Sequence, residues 1–358
     1  MKILFVFYVP SGGVETLNRQ RASALKSYNI ESHALYYQKI RETINPFEGN
    51  VFIGKDPKFI KDILDKGNYD AIVIVSDYLI LPLIRNLNYK GKIIFEIQGL
   101  GSQERARKYL MDGANSINIH ANALLNPKTP RIDQLFNEIF PNKSKFSFNN
   151  CFDTSKFSYI KMAKHPSPII AWIGRIVDNK NWKEFLYIGQ ELIRKVNPQI
   201  QLYMFEDPTL SDIKERNEFK QMVINLGLKG NLSILQNVMN DKMAEYFSKI
   251  GDSGGFYCLT SKSEGSPYSV LEALSCKCPV LSTDADGLRS SIIHNQTGKY
   301  YSLGNVTEAV IQAKELMTNK TLREQIRLNG FQHVQKHFSP ELYAENFIKM
   351  LNELGINK

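Results

Sequence analysis

The sequence lacks the long apolar stretches and the cysteine patterns that define several classes of protein. It has no run of about 18 uncharged apolar residues, and its longest candidate, Ala71 to Ile84, is interrupted by Asp77 and Pro82, so no membrane-spanning helix is predicted. Its four cysteines form no Cys-x-x-Cys pair, and Cys276-Lys277-Cys278 has no second Cys or His cluster to complete a zinc site. These features predict reduced thiols, a cytoplasmic location and no structural metal.

The first residues, Met1 to Pro10, lack the features of a secretion signal. They contain one Lys, no small-residue cleavage site follows them, and Gly12-Gly13 comes almost at once. This pattern favours a buried first strand that ends in a phosphate-type glycine loop.

Basic charge is concentrated in the first half of the chain. Of the net charge of +9, residues 1–164 carry +8, from 23 Lys and Arg against 15 Asp and Glu, and residues 165–358 carry +1, from 22 against 21. The excess is either a solvated face or a surface for an anionic partner, such as a polyanionic acceptor or a membrane. The chain has no nucleic-acid recognition motif, so nucleic acid is not a predicted partner.

Short apolar runs alternate with amphipathic stretches, which predicts parallel sheets covered by helices. The first half has predicted strands at Lys2–Val9, Tyr69–Val75, Lys92–Ile97 and Ser116–Ile119 and a helix at Val14–Ser27. After a polar break at Ser155–Pro168 a second alternation follows. Its predicted elements are strand Ile169–Ile173, helix Trp182–Val196, strand Gln201–Phe205, helix Asp212–Leu226, strand Leu232–Leu235, helix Asp241–Ile250, strand Gly255–Leu259, helix Pro267–Ser275 and strand Pro279–Ser282.

From Val306 onward the pattern is helical, with Gly330 and Pro340 as predicted breaks. We therefore predict two doubly wound, Rossmann-like α/β domains facing a cleft. Residues 1–164 form the first and residues 165–338 the second. Residues 339–358 form a C-terminal helix that packs back toward the first domain.

The most informative segment runs from Leu259 to Glu272. A strand ends at its start, and a helix follows for which Ser266 suits the N-cap and Pro267 the first position. The N-terminus of such a helix, at the carboxyl edge of a sheet, is an anion site suited to a diphosphate. Glu264 and Glu272 would then accept hydrogen bonds from sugar or ribose hydroxyls. The alternative is a capping box with a solvated helix glutamate.

Two cations follow the strand Ile169–Ile173. Gly174-Arg175 ends this strand, and Lys180 follows five residues later. Two positive charges at the carboxyl edge of a strand can neutralise a diphosphate leaving group, although each alone would pass for an ordinary surface charge. Their presence in the same half as the predicted helix N-terminus favours the functional interpretation.

At these residues the sequence resembles the retaining glycosyltransferases of family 4, which have the two-domain GT-B fold. The similarity covers nearly the whole chain and is more specific in the C-terminal half. The matching segments are Gly12-Gly13-Val14-Glu15, Asn150-Cys151-Phe152-Asp153-Thr154, Trp172-Ile173-Gly174-Arg175 with Lys180, the Glu-x7-Glu motif from Glu264 to Glu272, Pro279-Val280, Thr283-Asp284, Gly287 and Thr297-Gly298.

The resemblance implies transfer of a sugar from a nucleotide-sugar, here expected to be a UDP-sugar, with retention and without a cofactor or metal. The basic charge of the first half suits an anionic glycan, a teichoic-type polymer or a lipid-linked saccharide as the acceptor, reached from the cytoplasm or the inner face of the membrane. The implied catalytic residues are Glu264, Arg175 and Lys180. The implied donor-binding residues are Gly12, Gly13, Gly174, Gly265, Ser266, Pro267, Tyr268 and Glu272.

The sequence departs from the family pattern at four places. Gln98 stands where a His is frequent, Glu206-Asp207-Pro208 replaces a glycine-rich turn, Ser290 replaces a Glu, and Cys151 replaces a Gly. A catalytically inactive protein of the same fold that binds glycans or nucleotide-sugars is therefore the alternative.

Acceptor-side candidates lie in the first half. They are Gln98, His120 at a predicted strand end, and the basic group Arg105, Arg107 and Lys108. A structural histidine and a solvated helix face are the alternatives. In the second half, Asp284-Ala285-Asp286 has the spacing of a metal-binding pair, but it follows a strand where the family has a loop without a metal role, so we expect no metal there.

Overall fold

The computed structural model describes residues 1–39, 46–155, 157–163, 165–211 and 213–357. The chain forms two compact units. The first unit is Met1–Asp153 with His337–Lys358, and the second unit is Thr154–Lys336. The sequence placed the boundary after Lys164, which lies outside the described residues, whereas the structure divides the chain between Asp153 and Thr154.

The first unit is built on a seven-stranded parallel sheet. Its strands are β1 (Lys2–Phe7), β2 (Glu31–Tyr36), β3 (Val51–Ile53), β4 (Ala71–Val75), β5 (Lys92–Glu96), β6 (Ala123–Asn126) and β7 (Ser144–Ser147), in the order β3-β2-β1-β4-β5-β6-β7. Its helices are α1 (Gly12–Lys26), α2 (Pro57–Gly67), α3 (Ile80–Asn86), α4 (Gln103–His120), α5 (Pro130–Ile139) and the C-terminal α12 (Pro340–Glu353). Helix α12 packs against α1.

The second unit has a six-stranded parallel sheet. Its strands are β8 (Ile169–Ile173), β9 (Gln201–Glu206), β10 (Leu232–Gln236), β11 (Phe256–Leu259), β12 (Val280–Thr283) and β13 (Lys299–Tyr301), in the order β10-β9-β8-β11-β12-β13. Its helices are α6 (Trp182–Lys195), α7 (Ile213–Asn225), α8 (Met243–Asp252), α9 (Tyr268–Ser275), α10 (Val306–Thr318) and α11 (Lys320–His337).

Each sheet is buried because helices cover both of its faces, which explains why the central strands are continuously apolar. All five residues of β4, Ala-Ile-Val-Ile-Val, are buried. In the second unit the core includes both tryptophans, Trp172 of β8 and Trp182 of α6. All four cysteines are free and buried, and burial raises the pKa of each thiol. None of the described helices combines the length and apolar character that crossing a membrane requires.

Two predictions about elements were wrong. Ser116–Ile119 is not a strand but the last part of α4, whose buried residues Ala106, Leu110, Gly113 and Ile117 recur at helical spacing. Gly330 does not break the C-terminal helices, because it lies inside α11. A Cβ atom there would lie 2.8 Å from a methyl group of Leu274, so Gly330 serves close packing.

Candidate active site

The second sheet has a topological switch point between β8 and β11. These strands are neighbours, with Ile170 opposite Phe256 and Ala171 opposite Tyr257. From β8 the chain proceeds to β9 and β10 on one side, and from β11 to β12 and β13 on the other. The loops after β8 and β11 therefore leave a crevice at the carboxyl edge, the usual ligand site of open α/β sheets.

Hydrogen bonds fix the two loops to each other. The hydroxyl oxygen of Thr260, directly after β11, accepts from Nε1 of Trp172 at 3.1 Å and lies 2.9 Å from the carbonyl oxygen of Lys180, to which it donates. The N–H of Lys262 donates to the carbonyl of Asn179 at 2.9 Å, and the Asn179 amide donates to the carbonyl of Ser263 at 3.2 Å. The loop after β8 is thereby held in register with the loop after β11.

This arrangement brings together two of the predicted catalytic residues. Nζ of Lys180 lies 2.5 Å from Oε1 of Glu264, and their side chains are 23% and 11% exposed. Arg175 is exposed at the same edge, and its side chain forms no hydrogen bond or ion pair with the rest of the described chain. The crevice thus holds Lys180 and Glu264, whose charges neutralise each other, and the exposed guanidinium of Arg175.

Gly174 is required where the loop leaves β8. A Cβ atom at this position would lie 2.9 Å from the Trp172 ring and 3.2 Å from Cγ of Lys180. Since real Cβ atoms are hardly ever so close to a ring, a side chain here would displace Lys180. Gly174 is therefore needed for the position of Lys180, and its role in donor binding stays a prediction.

Helix α9 begins one residue later than predicted. Pro267 is its N-cap, with φ −71° and ψ 118°, and no side chain caps the helix, so Ser266 is not the N-cap. The ring of proline fixes φ at a value common to helix and extended chain, and only ψ separates the two. The N–H groups of the first turn, from Tyr268 onward, still start at the carboxyl edge of the sheet, as an anion site requires.

Glu272 lies in the second turn of α9 and is 8% exposed. Its Oε1 accepts a hydrogen bond from the Asn240 side chain at 3.1 Å. Asn240 starts a short 3-10 turn before α8, and sequence analysis missed it because nothing in its neighbourhood forms a motif. The hydroxyl of Tyr257 lies 3.0 Å from the hydroxyl of Ser269. Burial raises the pKa of Tyr257, and the nearby negative charges of Glu264 and Glu272 raise it further.

A third loop, after β12, closes on the second. A Cβ atom on Gly287 would lie 1.4 Å from the carbonyl oxygen of Gly265 and 2.5 Å from that of Glu264. Asp284 forms an ion pair with Arg289 at 2.8 Å. Among the described residues no group of three His, Cys, Asp or Glu side chains is arranged to hold a metal ion.

Where the family has a glycine-rich turn, this chain has an ion pair with a buried carboxylate. Glu206 ends β9 with a fully buried side chain, and Arg216 of α7 contacts both of its oxygens, at 3.0 and 2.5 Å. Gln236 donates a further hydrogen bond to Glu206 at 3.0 Å. The buried carboxylate, held by Arg216 and Gln236, orders the carboxyl ends of β9 and β10 beside the crevice.

In the first unit, Gln98 is held in a polar network just after β5. Its Nε2 donates to Glu96 at 2.7 Å, and its Oε1 accepts from Asn150 at 2.7 Å. Glu96 in turn pairs with Arg21 of α1 at 2.8 Å, with side chains 2% and 0% exposed. Gln98 is therefore fixed in orientation at the carboxyl edge of the first sheet.

His120 is not at a strand end, as predicted, but is the last residue of α4. The helix runs from the carboxyl edge, after β5, to the amino edge, where Asn122 donates its N–H to the carbonyl of Ile93 at 2.7 Å. A helix of 18 residues is about 27 Å long. The structure therefore separates His120 from Gln98.

The basic group lies near the start of α4. Arg107 forms two hydrogen bonds with Glu138, both 2.7 Å long, while Arg105 and Lys108 are exposed.

Gly12 and Gly13 open α1 instead of forming a separate loop, and a Cβ atom on either would meet nothing within 4 Å.

Comparison with solved structures gives the class of fold. Sucrose-phosphate synthase from Thermosynechococcus elongatus has a TM-score of 0.81 and 16% identity, and the match covers 99% of both chains. The Anabaena protein HepE, solved in complex with UDP-glucose, has a TM-score of 0.80 and 14% identity, covering 99% of this chain and 100% of that chain. The two units thus form the GT-B fold that the sequence predicted.

The family described as Glycosyl transferases group 1 matches residues 155–333. The chain belongs to this family. A poly(ribitol-phosphate) α-N-acetylglucosaminyltransferase from Staphylococcus aureus (strain COL) is 23% identical over 303 residues, which cover 81% of this chain and 57% of that relative. The chain therefore aligns with a little over half of the relative's length.

Proposed function

We propose that this protein is a retaining family 4 glycosyltransferase that transfers a hexose-type sugar from a UDP-sugar to a cell-envelope glycan, a teichoic-type polymer or a lipid-linked saccharide. The contact between Lys180 and Glu264 at the switch point carries the proposal, since it places a cation for phosphate beside a carboxylate for sugar hydroxyls. The relative that acts on poly(ribitol phosphate) supports a cell-envelope acceptor. HepE, solved with UDP-glucose, supports a UDP-sugar.

In this proposal the donor diphosphate binds at the N-terminus of α9. Lys180 exchanges its contact with Glu264 for a phosphate oxygen, and the exposed Arg175 supplies a second charge. As the bond between sugar and phosphate breaks, negative charge accumulates on the leaving diphosphate. Cations and helix N–H groups fixed around it stabilise that charge in the transition state.

Glu264, released from Lys180, then accepts hydrogen bonds from hydroxyls of the transferred sugar. The backbone N–H groups of Gly265, Ser266 and Tyr268 add donors beside it. Glu272 is oriented by Asn240 and accepts from the ribose hydroxyls. The two carboxylates are assigned to different parts of one ligand because one precedes α9 and the other lies in its second turn.

The proposed reaction uses no metal. Arg175, Lys180 and the α9 N-terminus supply the positive charge that a metal ion would otherwise provide. Asp284, the first residue of the Asp-x-Asp pair, is already paired with Arg289. We assign the acceptor side to the first unit, where Arg105 and Lys108 are exposed and suit an anionic glycan or the inner membrane surface.

The function is tested with purified protein, a panel of UDP-sugars and excess EDTA. We expect at least one UDP-sugar to raise the melting temperature and to be hydrolysed slowly to UDP and free sugar. Equal rates with EDTA and with added Mn²⁺ are expected. Hydrolysis that requires Mn²⁺ would refute the metal-free mechanism. Binding of donors with no hydrolysis or transfer would support the inactive binding protein instead.

A further inference from the structure

A cluster of tyrosines lies at the carboxyl edge of the first sheet. This tyrosine cluster consists of Tyr8, Tyr37, Asp77, Tyr78 and Tyr109. Tyr8, Tyr37 and Asp77 follow the neighbouring strands β1, β2 and β4 within two residues, and Tyr109 comes from α4. Strands β1 and β4 are the switch point of this sheet, because the chain continues to β2 and β3 on one side and to β5, β6 and β7 on the other.

The cluster converges on two residues after β4. The hydroxyls of Tyr8 and Tyr109 both donate to the carbonyl of Ser76, at 2.6 and 2.7 Å. The Tyr37 hydroxyl donates to Oδ2 of Asp77 at 2.9 Å. Ser76 itself has φ +49°, a conformation that side chains other than glycine, asparagine and aspartate adopt rarely. Such backbone strain is characteristic of ligand sites.

The rings form two contacting pairs. Tyr8 and Tyr37 meet edge to face, with centroids 5.5 Å apart, and Tyr78 and Tyr109 lie 4.9 Å apart. Tyr8 is 38% exposed although its hydroxyl is bonded inward. The hydroxyl is therefore fixed by the protein, and the exposed part of the residue is mainly ring.

The charge of the cluster restricts the ligand. Asp77 is its one charged member, and its two oxygens accept from Tyr37 and from the N–H of Leu79. Burial, with a further contribution from Asp77, raises the pKa of Tyr8 to about 12, so this phenol is neutral at physiological pH. Since no member carries a positive charge, the cluster does not favour an anionic group.

We infer that the tyrosine cluster is a subsite for a neutral pyranose ring of the acceptor, which stacks on Tyr8. Sites for small ligands combine apolar and aromatic surface with a few fixed polar groups. A pyranose ring has an apolar C–H face that matches the exposed ring of Tyr8. The inference rests on the proposed function and narrows the class of acceptor. An acyclic polyol phosphate has no ring that could stack on Tyr8, and the cluster has no cation to bind its phosphate.

The test is saturation-transfer NMR on the full-length protein saturated with UDP. The probes are methyl α-D-glucopyranoside, methyl N-acetyl-α-D-glucosaminide and ribitol 5-phosphate. We expect ring-proton signals from at least one glycoside, in wild type, in Tyr8→Phe and in the control Tyr187→Ala, whose tyrosine is 47% exposed in the second unit. Tyr8→Ala should weaken the signal about fivefold, the scale of one aromatic contact.

Tyr8→Leu keeps an apolar side chain but removes the aromatic ring, and this variant should also weaken the NMR signal. If Tyr8→Ala does not fold, Tyr8→Leu provides the test in its place. The inference is overturned if neither glycoside gives a signal, if both Tyr8 variants match wild type, or if only ribitol 5-phosphate binds. UDP-sugar hydrolysis on the same samples separates the two proposals. It should be unchanged in the Tyr8 variants, and its absence from wild type would refute the proposed function itself.

Discussion

Lys180 and Glu264 stand 84 positions apart in the sequence and touch in the structure. They meet because β8 and β11 are neighbours, and parallel strands bring their carboxyl ends to one edge. The sequence identified both residues from local patterns. It did not predict their contact, which depends on the order of strands in the sheet and on the loop hydrogen bonds around Thr260. At the residue scale, types are readable from sequence while pairings are not.

Gly287 should tolerate no side chain, because its Cβ would overlap the carbonyl of Gly265. We expect Gly287→Ala to lower the free energy of unfolding by about 1–3 kcal/mol, the usual cost of overpacking, and to reduce sugar transfer by shifting the loop that holds Glu264. Gly230→Ala is the control, since a Cβ there meets nothing within 4 Å. Equal thermal melting of the two variants would contradict the close approach.

The two carboxylates should separate kinetically. Glu264→Ala should lower kcat while UDP still binds, because Glu264 contacts the moving sugar. Glu272→Ala and Asn240→Ala should mainly raise the donor KM, because a ribose contact is shared by ground and transition states. Glu191, a partly exposed residue paired with Arg194 on α6, supplies the control Glu191→Ala. If Glu264→Ala and Glu272→Ala lost UDP affinity equally, the division of roles would be wrong.

At the scale of elements, the strands and helices of the second unit from β8 to β12 were predicted to within a few residues, and β13 was missed. Strand β8 has its predicted bounds, and β9 and β10 each extend one residue further. These segments are apolar runs bounded by polar loops. In the first unit, β2, β3, β6 and β7 were missed. Ser116–Ile119 was misread because four residues that alternate in polarity cannot be distinguished from one turn of an amphipathic helix.

Helix α4 gives the prediction at this scale. His120 lies at its C-terminal end, at the amino edge of the sheet, and its carbonyl oxygen, not its ring, accepts from Arg85 at 3.0 Å. We expect His120→Ala to leave kcat and both KM values unchanged in a transfer assay. A tenfold or larger fall in kcat/KM would restore His120 as an acceptor-side residue.

At the scale of the whole molecule, the alternation of strands and helices and the resemblance predicted the two-domain fold. The bounds of the units were harder to read. The boundary after Lys164 was placed too late, since the second unit begins at Thr154. The C-terminal helix was predicted to pack toward the first domain, and α12 does belong to the first unit, where the carbonyl of Phe338 accepts the N–H of Phe152 at 2.7 Å. The tyrosine cluster was not predicted. Its members lie in the loops after three strands and on one helix, and they have no shared spacing in the sequence.

The central claim is that the switch point of the second sheet binds the donor through Lys180. The most direct test is the dissociation constant of UDP, measured by calorimetry in EDTA, for wild type, Lys180→Ala and Lys183→Ala. Lys183 is the matched control, because it forms an exposed ion pair with Glu218 at 2.6 Å. Losing one charge-assisted hydrogen bond should weaken UDP binding by about tenfold to a hundredfold in Lys180→Ala, with Lys183→Ala equal to wild type. Equal affinity in all three proteins would contradict the site.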